Sequence, residues 1–184
     1  TGAVVICPEY ALLPEHVFPA ALNEIEEVYR ALSSDDAVSI LGFETRRVVV
    51  SGESAGGNLA AALCVKICQE KSSESDGAKK STDRAMNLPS ALMLSCPVLN
   101  MSLELSHSRV VGTDDPVLPS GLLSAISNAY LPKELGLCKQ EPLVSPLYAD
   151  DKVLSQFPST LLFASSTDPL LDDSVIFNHR LRSL

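Results

Sequence analysis

The sequence predicts an α/β fold in which a mostly parallel β-sheet is flanked by helices. Short runs of consecutive apolar residues, typical of strands in parallel sheets, alternate with segments that have the 3.6-residue apolar period of a helix. Prolines and polar clusters separate these segments. Because strands that alternate with helices form βαβ units, the sheet is expected to be mainly parallel.

The first predicted βαβ unit opens the chain. Residues 3–7 form an apolar run that we expect to be a strand buried on both faces. Three prolines then predict an extended loop, and a helical apolar period begins at Pro19 and ends at the polar segment 33–36. Residues 47–51 are the second predicted strand, joined to the first by a right-handed connection.

The rest of the chain continues the alternation. A helix follows residues 52–58, and a polar segment at 71–88 is predicted to be a solvated loop. The segment at 100–119 has no regular pattern. Further strands are predicted at 90–96 and 160–165, a short helix at 122–130, and a last helix after the acidic segment 168–173.

Composition limits the classes of function. A chain of 184 residues with 46% hydrophobic residues can form one domain, predicted to span residues 1–184. The net charge of −9 argues against a nucleic-acid partner. No apolar run is long enough to cross a membrane. Because the chain begins with Thr1 inside an apolar run, we expect it to be part of a longer protein.

The cysteines are interpreted as buried, reduced side chains. Cys64 and Cys68 are four residues apart on one predicted helix face, but no further ligand completes a metal site, and no metal is expected. The five cysteines are Cys7, Cys64, Cys68, Cys96 and Cys138.

The segment Gly-Glu-Ser-Ala-Gly-Gly-Asn at 52–58 carries the main chemical signal. Valines precede it and a helical pattern follows it, which is the strand, turn and helix context of a nucleophile elbow. Gly52 and Gly56 are expected to clear space around Ser54. The backbone N–H of Ala55 would point at a developing oxyanion. The alternative is a small-residue turn with a buried serine.

An acid follows the last predicted strand. Ligands and catalytic groups gather at the carboxyl ends of parallel strands, where both Ser54 and Asp168 are expected. A serine followed along the chain by an acid is the order of serine hydrolases with an elbow. The alternative is that Asp168 only caps the last helix.

Three segments together resemble the hormone-sensitive lipase family of α/β-hydrolases, most of all its animal members: residues 10–22, 52–58 and 168–173. A fourth similar run lies at 144–147. The resemblance implies a truncated α/β-hydrolase fold and a serine ester hydrolase without metal or cofactor. It assigns the nucleophile, the acid and an oxyanion N–H to Ser54, Asp168 and Ala55, and elbow support to Gly52, Glu53, Gly56 and Gly57.

The sequence also departs from the family pattern. Glu53 replaces a more usual Asp, Leu13 replaces Ala, and a regulatory insertion expected between residues 130 and 142 is missing. The family's His-Gly-Gly-Gly segment is expected before Thr1, and its catalytic histidine after Leu184. None of the histidines present is a suitable base: His16 is expected to pack in the proline-rich loop, His107 matches no motif, and His179 lies roughly 16 Å along a helix from Asp168.

Two functions follow from the resemblance. The first is a cytoplasmic lipase or esterase that hydrolyses acylglycerols or related esters, with lipid-surface or lipid-droplet association left open. The second is a non-catalytic ligand-binding protein, because plant gibberellin receptors resemble this family without its histidine. The residue at the missing histidine position would distinguish them. On either function this chain alone is expected to have negligible turnover.

Overall fold

Three parallel strands form the sheet of this protein, and one long helix lies across it. A computed structural model describes residues 2–34, 37–75, 86–102 and 104–184. Within these residues the strands are β1 (Val49–Glu53), β2 (Ala91–Ser95) and β3 (Thr160–Phe163). The helices are α1 (Ala20–Leu32), α2 (Ala37–Leu41), α3 (Ala55–Ser75), α4 (His107–Val111), α5 (Ser120–Tyr130), α6 (Asp151–Leu154) and α7 (Leu171–Ser183), with 3₁₀ turns at Lys133–Leu135 and Pro146–Tyr148.

The sheet has the spatial order β1-β2-β3. In the parallel register Val50 pairs with Leu92, and Leu94 pairs with Leu162. Since side chains alternate along a strand, these residues share one face, and α3 packs against it. The carboxyl ends of all three strands therefore lie at one edge of the sheet.

Helix α3 is the centre of the core. Residues 59–65 are all buried, so the helix is enclosed on every side in this stretch. Towards α1 it contributes to an apolar cluster with Leu22 and Tyr29. Towards the sheet it contributes to a second cluster with Leu92 and Phe177. The helix that begins at the candidate nucleophile is thus held rigidly between two layers.

The predicted strand at residues 3–7 is wrong. These residues have no regular secondary structure, and Val5 is 88% exposed. A strand needs a neighbour for its hydrogen bonds, and no strand of the described residues pairs with this segment. The face of the sheet opposite α3 is also partly open, because Leu161 and Phe163 are half exposed there.

The predicted solvated loop at 71–88 is wrong at both ends. Helix α3 continues to Ser75, and Met86 is buried in the core. Residues 76–85 lie outside the described part of the chain. Two cysteine predictions also fail, because Cys7 and Cys138 are exposed, whereas Cys64 and Cys68 are buried on α3.

The other predicted elements are confirmed with small shifts in their bounds. Helix α1 ends at Leu32 and β1 lies at Val49–Glu53, close to the predicted positions. Helices α2, α4 and α6 were not predicted. Each has four or five residues, which is too short to give an apolar period that a sequence pattern can detect.

Two neighbouring glycines of α3 give a matched test of this packing. A Cβ at position 57 would lie 2.8 Å from the Cβ of Pro97, whereas a Cβ at position 56 would meet nothing within 4 Å. Gly57→Ala should therefore lower the free energy of unfolding by about 1–3 kcal/mol. Gly56→Ala should leave it unchanged or raise it by about 0.5–1 kcal/mol, since alanine favours helix. Urea denaturation of the full protein measures both, and equal effects would contradict the packing described.

Candidate active site

Ser54 forms the whole turn between β1 and α3. The strand ends at Glu53 and the helix begins at Ala55. Ser54 has φ of 52°, in the left-handed region that residues other than glycine and asparagine rarely adopt. The chain therefore reverses direction at a single strained residue, whose side chain is exposed at the edge of the sheet.

Gly52 is required by the tightness of this turn. A Cβ at position 52 would lie 2.1 Å from the carbonyl oxygen of Gly56, far inside contact distance. The expectation that Gly56 also clears space with its own missing side chain is wrong, because its Cβ position is open. Gly57, which faces Pro97, is the second position that requires a glycine.

Backbone hydrogen bonds fix the turn from several sides. Ser54 N donates to Ser95 O at 2.9 Å, and Ser54 O accepts from Asn58 N at 3.1 Å and from Val98 N at 3.2 Å. The buried Asn58 side chain then donates to Val98 O at 2.7 Å and to Val144 O at 2.9 Å. The turn is thus tied to the end of β2 and to the loop that follows it.

The start of α3 supplies a positive electrostatic environment at Ser54. The helix has 21 residues and its first residue is Ala55, so its unpaired N–H groups and the positive end of its dipole lie beside the serine. Negative charge that develops there is stabilised.

Asp168 lies at the same edge of the sheet, five residues after the end of β3. Its carboxylate Oδ1 accepts from Leu170 N at 2.9 Å, and its carbonyl accepts from Leu171 N at 3.0 Å. The N-cap of α7 is Leu170, without a side-chain cap. The simple helix-cap alternative for Asp168 is therefore wrong, since its side chain instead orders the turn before the helix.

The strand order separates the two strands that the candidate residues follow. Strand β2 lies between β1 and β3, and neighbouring strands are about 4.8 Å apart, so the ends of β1 and β3 are separated by roughly 10 Å. A carboxylate and a serine that follow the two outer strands need a third group between them to be linked by hydrogen bonds.

Cys96 occupies the strand end between them, and its position was missed in the sequence. It directly follows β2, has φ of 42°, and its N–H donates to Phe163 O at 2.8 Å. Burial raises the pKa of its thiol, and a hydrogen bond to the Asp168 side chain raises it further. Cys96 thus lies beside the Asp168 side chain, and both effects favour its neutral thiol. The available signal was its place directly after a strand and before Pro97.

The chain has three histidines, one of which lies near the segment that carries Asp168: the Ser108 N–H lowers the pKa of the Asp172 carboxyl, and the charge of nearby His107 lowers it further. His16, His107 and His179 are all exposed, so the expected packing role of His16 is wrong. Among the described residues none of them makes a hydrogen bond with Ser54 or Asp168. Within the same residues, no group of three or more His, Cys, Asp or Glu side chains is arranged to hold a metal ion.

The fold agrees with what known proteins show. A family model for the α/β-hydrolase fold matches residues 1–184. The chain is a hormone-sensitive-lipase-like member of the α/β-hydrolase family. The predicted fold class and the resemblance to this family are confirmed.

This α/β-hydrolase chain has named relatives among esterases and lipases. It is 32% identical over 180 residues to an esterase of Acinetobacter venetianus, covering 98% of this chain and 51% of the relative. It is 30% identical over 130 residues to hormone-sensitive lipase of Mus musculus, covering 70% of this chain and 15% of the lipase. A solved hormone-sensitive lipase from a metagenome library superimposes with a TM-score of 0.72 at 28% identity, covering 95% of this chain and 50% of that one.

These comparisons also show how much of a relative the chain covers and which class of function the relatives favour. The chain spans about half the length of the esterase it matches. Since the relatives above are named as an esterase and lipases, the non-catalytic ligand-binding alternative is not favoured. None of the helices in the described residues is long and apolar enough to cross a membrane.

The strain at Ser54 is measurable with two variants that both remove the hydroxyl. Ser54→Ala keeps a Cβ in the left-handed conformation, whereas Ser54→Gly does not. A left-handed residue other than glycine costs about 1–2 kcal/mol, part of which is offset by the larger entropy that glycine loses on folding. We therefore expect the free energy of unfolding of the full protein, measured by urea denaturation, to be about 0.5–1 kcal/mol higher with Ser54→Gly than with Ser54→Ala. A less stable glycine variant would contradict a strained turn.

Proposed function

We propose that the full protein is a serine hydrolase of carboxylic esters in which Ser54 is the nucleophile. The observation that carries this proposal is the exposed serine with φ of 52° at the start of a 21-residue helix. A serine in a strained turn is found where its position is part of a mechanism. Residues held in such sparsely populated conformations cluster at active sites.

The proposed reaction has two steps. Ser54 Oγ attacks the ester carbonyl while a general base takes its proton, and the carbonyl oxygen becomes an oxyanion beside the N–H of Ala55 and the start of α3. Collapse of this intermediate expels the alcohol, which receives the proton, and leaves an acyl-serine. Water, activated by the same base, then releases the acid and restores Ser54.

Asp168 is proposed to orient that base and to stabilise its protonated form. We expect the base to be a histidine that bridges the gap across the end of β2. We place it outside these 184 residues because His16, His107 and His179 are exposed and do not contact Asp168. Gly52 and Gly57 are proposed to support the position of Ser54, with Gly52 the more constrained of the two. Glu53, the last residue of β1, is proposed to support it as well.

The substrate class remains part of the proposal. Relatives named as esterase and lipase support small or lipid-derived carboxylic esters, and acylglycerols are the expected lipid example. A cytoplasmic location and contact with a lipid surface belong to the same proposal. No metal or organic cofactor takes part in the steps above.

Hydrolysis of p-nitrophenyl butyrate by the full protein tests these roles. Ser54→Ala should lower kcat by about 10⁴-fold or more, and Asp168→Asn by about 10²–10⁴-fold, as in other serine triads. Ser183→Ala and Asp150→Asn are matched controls at exposed positions, and both should keep the activity of the unchanged protein. If Ser54→Ala retained activity, the proposed mechanism would be wrong.

The isolated 184-residue chain should turn over the same ester at a negligible rate, because a serine without its base is a weak nucleophile. Hydrolysis by this chain that Ser54→Ala abolished would show that the base had been placed wrongly.

A further inference from the structure

Helix α4 contacts the acid loop through hydrogen bonds that the proposed catalytic roles do not use. We define the acid loop as residues 168–173, which are the turn that carries Asp168 and the first three residues of α7. Ser108 Oγ donates to Pro169 O at 3.0 Å, and Ser108 N donates to the Asp172 carboxylate at 2.8 Å. Asp172 N donates back to Ser108 Oγ at 3.2 Å. One buried serine therefore holds the loop on the C-terminal side of Asp168.

The next residue of α4 makes a buried ion pair with the end of the loop. Arg109 Nη2 lies 2.7 Å from Asp173 Oδ2, and the two side chains are 6% and 4% exposed. The same guanidinium donates to Asn100 O at 2.7 Å and to Glu104 O at 3.1 Å. Arg109 thus joins the acid loop to the segment that leaves β2.

The far end of α4 also touches the loop. A Cβ at position 112 would lie 2.7 Å from Cγ of Pro169, so Gly112 allows the helix end to lie against the proline that follows Asp168. From Ser108 to Gly112 the helix is in contact with residues 169–173. The five-residue helix has little stability of its own, so its position depends on these contacts.

Stability alone does not account for a buried ion pair here. Removing two charges from water is costly, and apolar residues of similar volume are often as stable or more stable. The Nε of Arg109 is buried without a partner, so its loss of hydration is only partly repaid. Burial raises the pKa of the Asp173 carboxyl, while Arg109 and Asn100 act to lower it. Hydrogen-bonded charged partners are directional, so this pair sets the position of α4 relative to the start of α7.

We infer that Arg109 is a positioning residue for Asp168: through Asp173 and α4 it fixes the acid loop so that the Asp168 carboxylate meets the catalytic base. The inference rests on the proposed function, because it takes Asp168 as the acid of the reaction. Arg109 does not touch the reacting atoms. Its effect is on where the carboxylate stands when the base becomes protonated.

This role has a kinetic signature that a purely structural role lacks. A displaced carboxylate stabilises the protonated base less, so kcat falls while substrate binding, and therefore KM, changes little. A nearby carboxylate also raises the pKa of an imidazolium. Loosening the loop should therefore move the acid limb of the pH profile of kcat/KM to lower pH.

Arg109→Met in the full protein tests this, with Arg180→Met as the matched control. Arg180 lies towards the C-terminal end of α7, the helix whose first turn contains Asp173. It pairs with Asp151 at 2.5 Å and donates to Ala149 O at 2.8 Å. With p-nitrophenyl butyrate, Arg109→Met should lower kcat about 10–100-fold, since displacements near 1 Å cost up to about 10²-fold. KM should stay within about two-fold, and the acid limb should shift to lower pH. Arg180→Met should leave kcat and the pH profile unchanged.

A double variant keeps the test decisive if Arg109→Met folds poorly. Arg109→Met with Asp173→Leu removes both buried charges and should restore the melting temperature. Its kcat should remain low, because the loop is packed but no longer fixed by charge. If kcat recovered together with stability, or if Arg109→Met kept the kcat and pH profile of the unchanged protein, the inference would be wrong. If instead Ser54→Ala were active, the proposed function itself would fail, which keeps the two failures distinct.

Discussion

The carbonyl oxygen of Gly56 occupies the space that a side chain at position 52 would need, and the arrangement of the candidate site depends on this close approach of the helix to the strand. A Cβ on Gly52 would be 2.1 Å from that oxygen. Only with glycine at position 52 can β1 pass directly into α3 through a single left-handed residue. That residue is Ser54, and the contact therefore decides which side chain stands alone at the carboxyl edge of the sheet.

Packing and hydrogen bonds elsewhere in the structure fix the carboxyl edge of the sheet. Helix α3 is enclosed by apolar clusters on both sides, so its first residue has little freedom. The hydrogen bonds that Ser54 N donates to Ser95 O and that Ser54 O accepts from Val98 N tie the turn to β2 and the segment after it. On the other side of β2, the contacts of Ser108 and Arg109 tie the acid loop to α4. The Ser54 turn after β1 and the acid loop after β3 are thus held by separate sets of contacts. The first set reaches β2 and Val98, and the second reaches Asn100 through Arg109.

Sequence reasoning succeeded where the determining interactions are local. The turn at residues 52–58 is encoded in consecutive residues, and the position of Asp168 at the carboxyl edge of the sheet follows from its place shortly after a recognisable strand. The strand at 3–7 was predicted wrongly, since pairing depends on a neighbour that a local apolar run does not specify. Arg109 was missed for a related reason, because its partner Asp173 lies 64 residues away in the chain. The short helix that carries Arg109 has no detectable period, so no pattern drew attention to it.

We propose that the strained turn presents Ser54 as the nucleophile of an ester hydrolase. The most direct measurement is to treat the full protein with a fluorophosphonate ester, which phosphonylates activated serines, and to locate the adduct by peptide mass spectrometry. If Ser54 is the nucleophile, we expect a single adduct on Ser54, formed at the same rate as esterase activity is lost. An adduct on another residue that removed the activity, or continued hydrolysis with Ser54 fully modified, would contradict it.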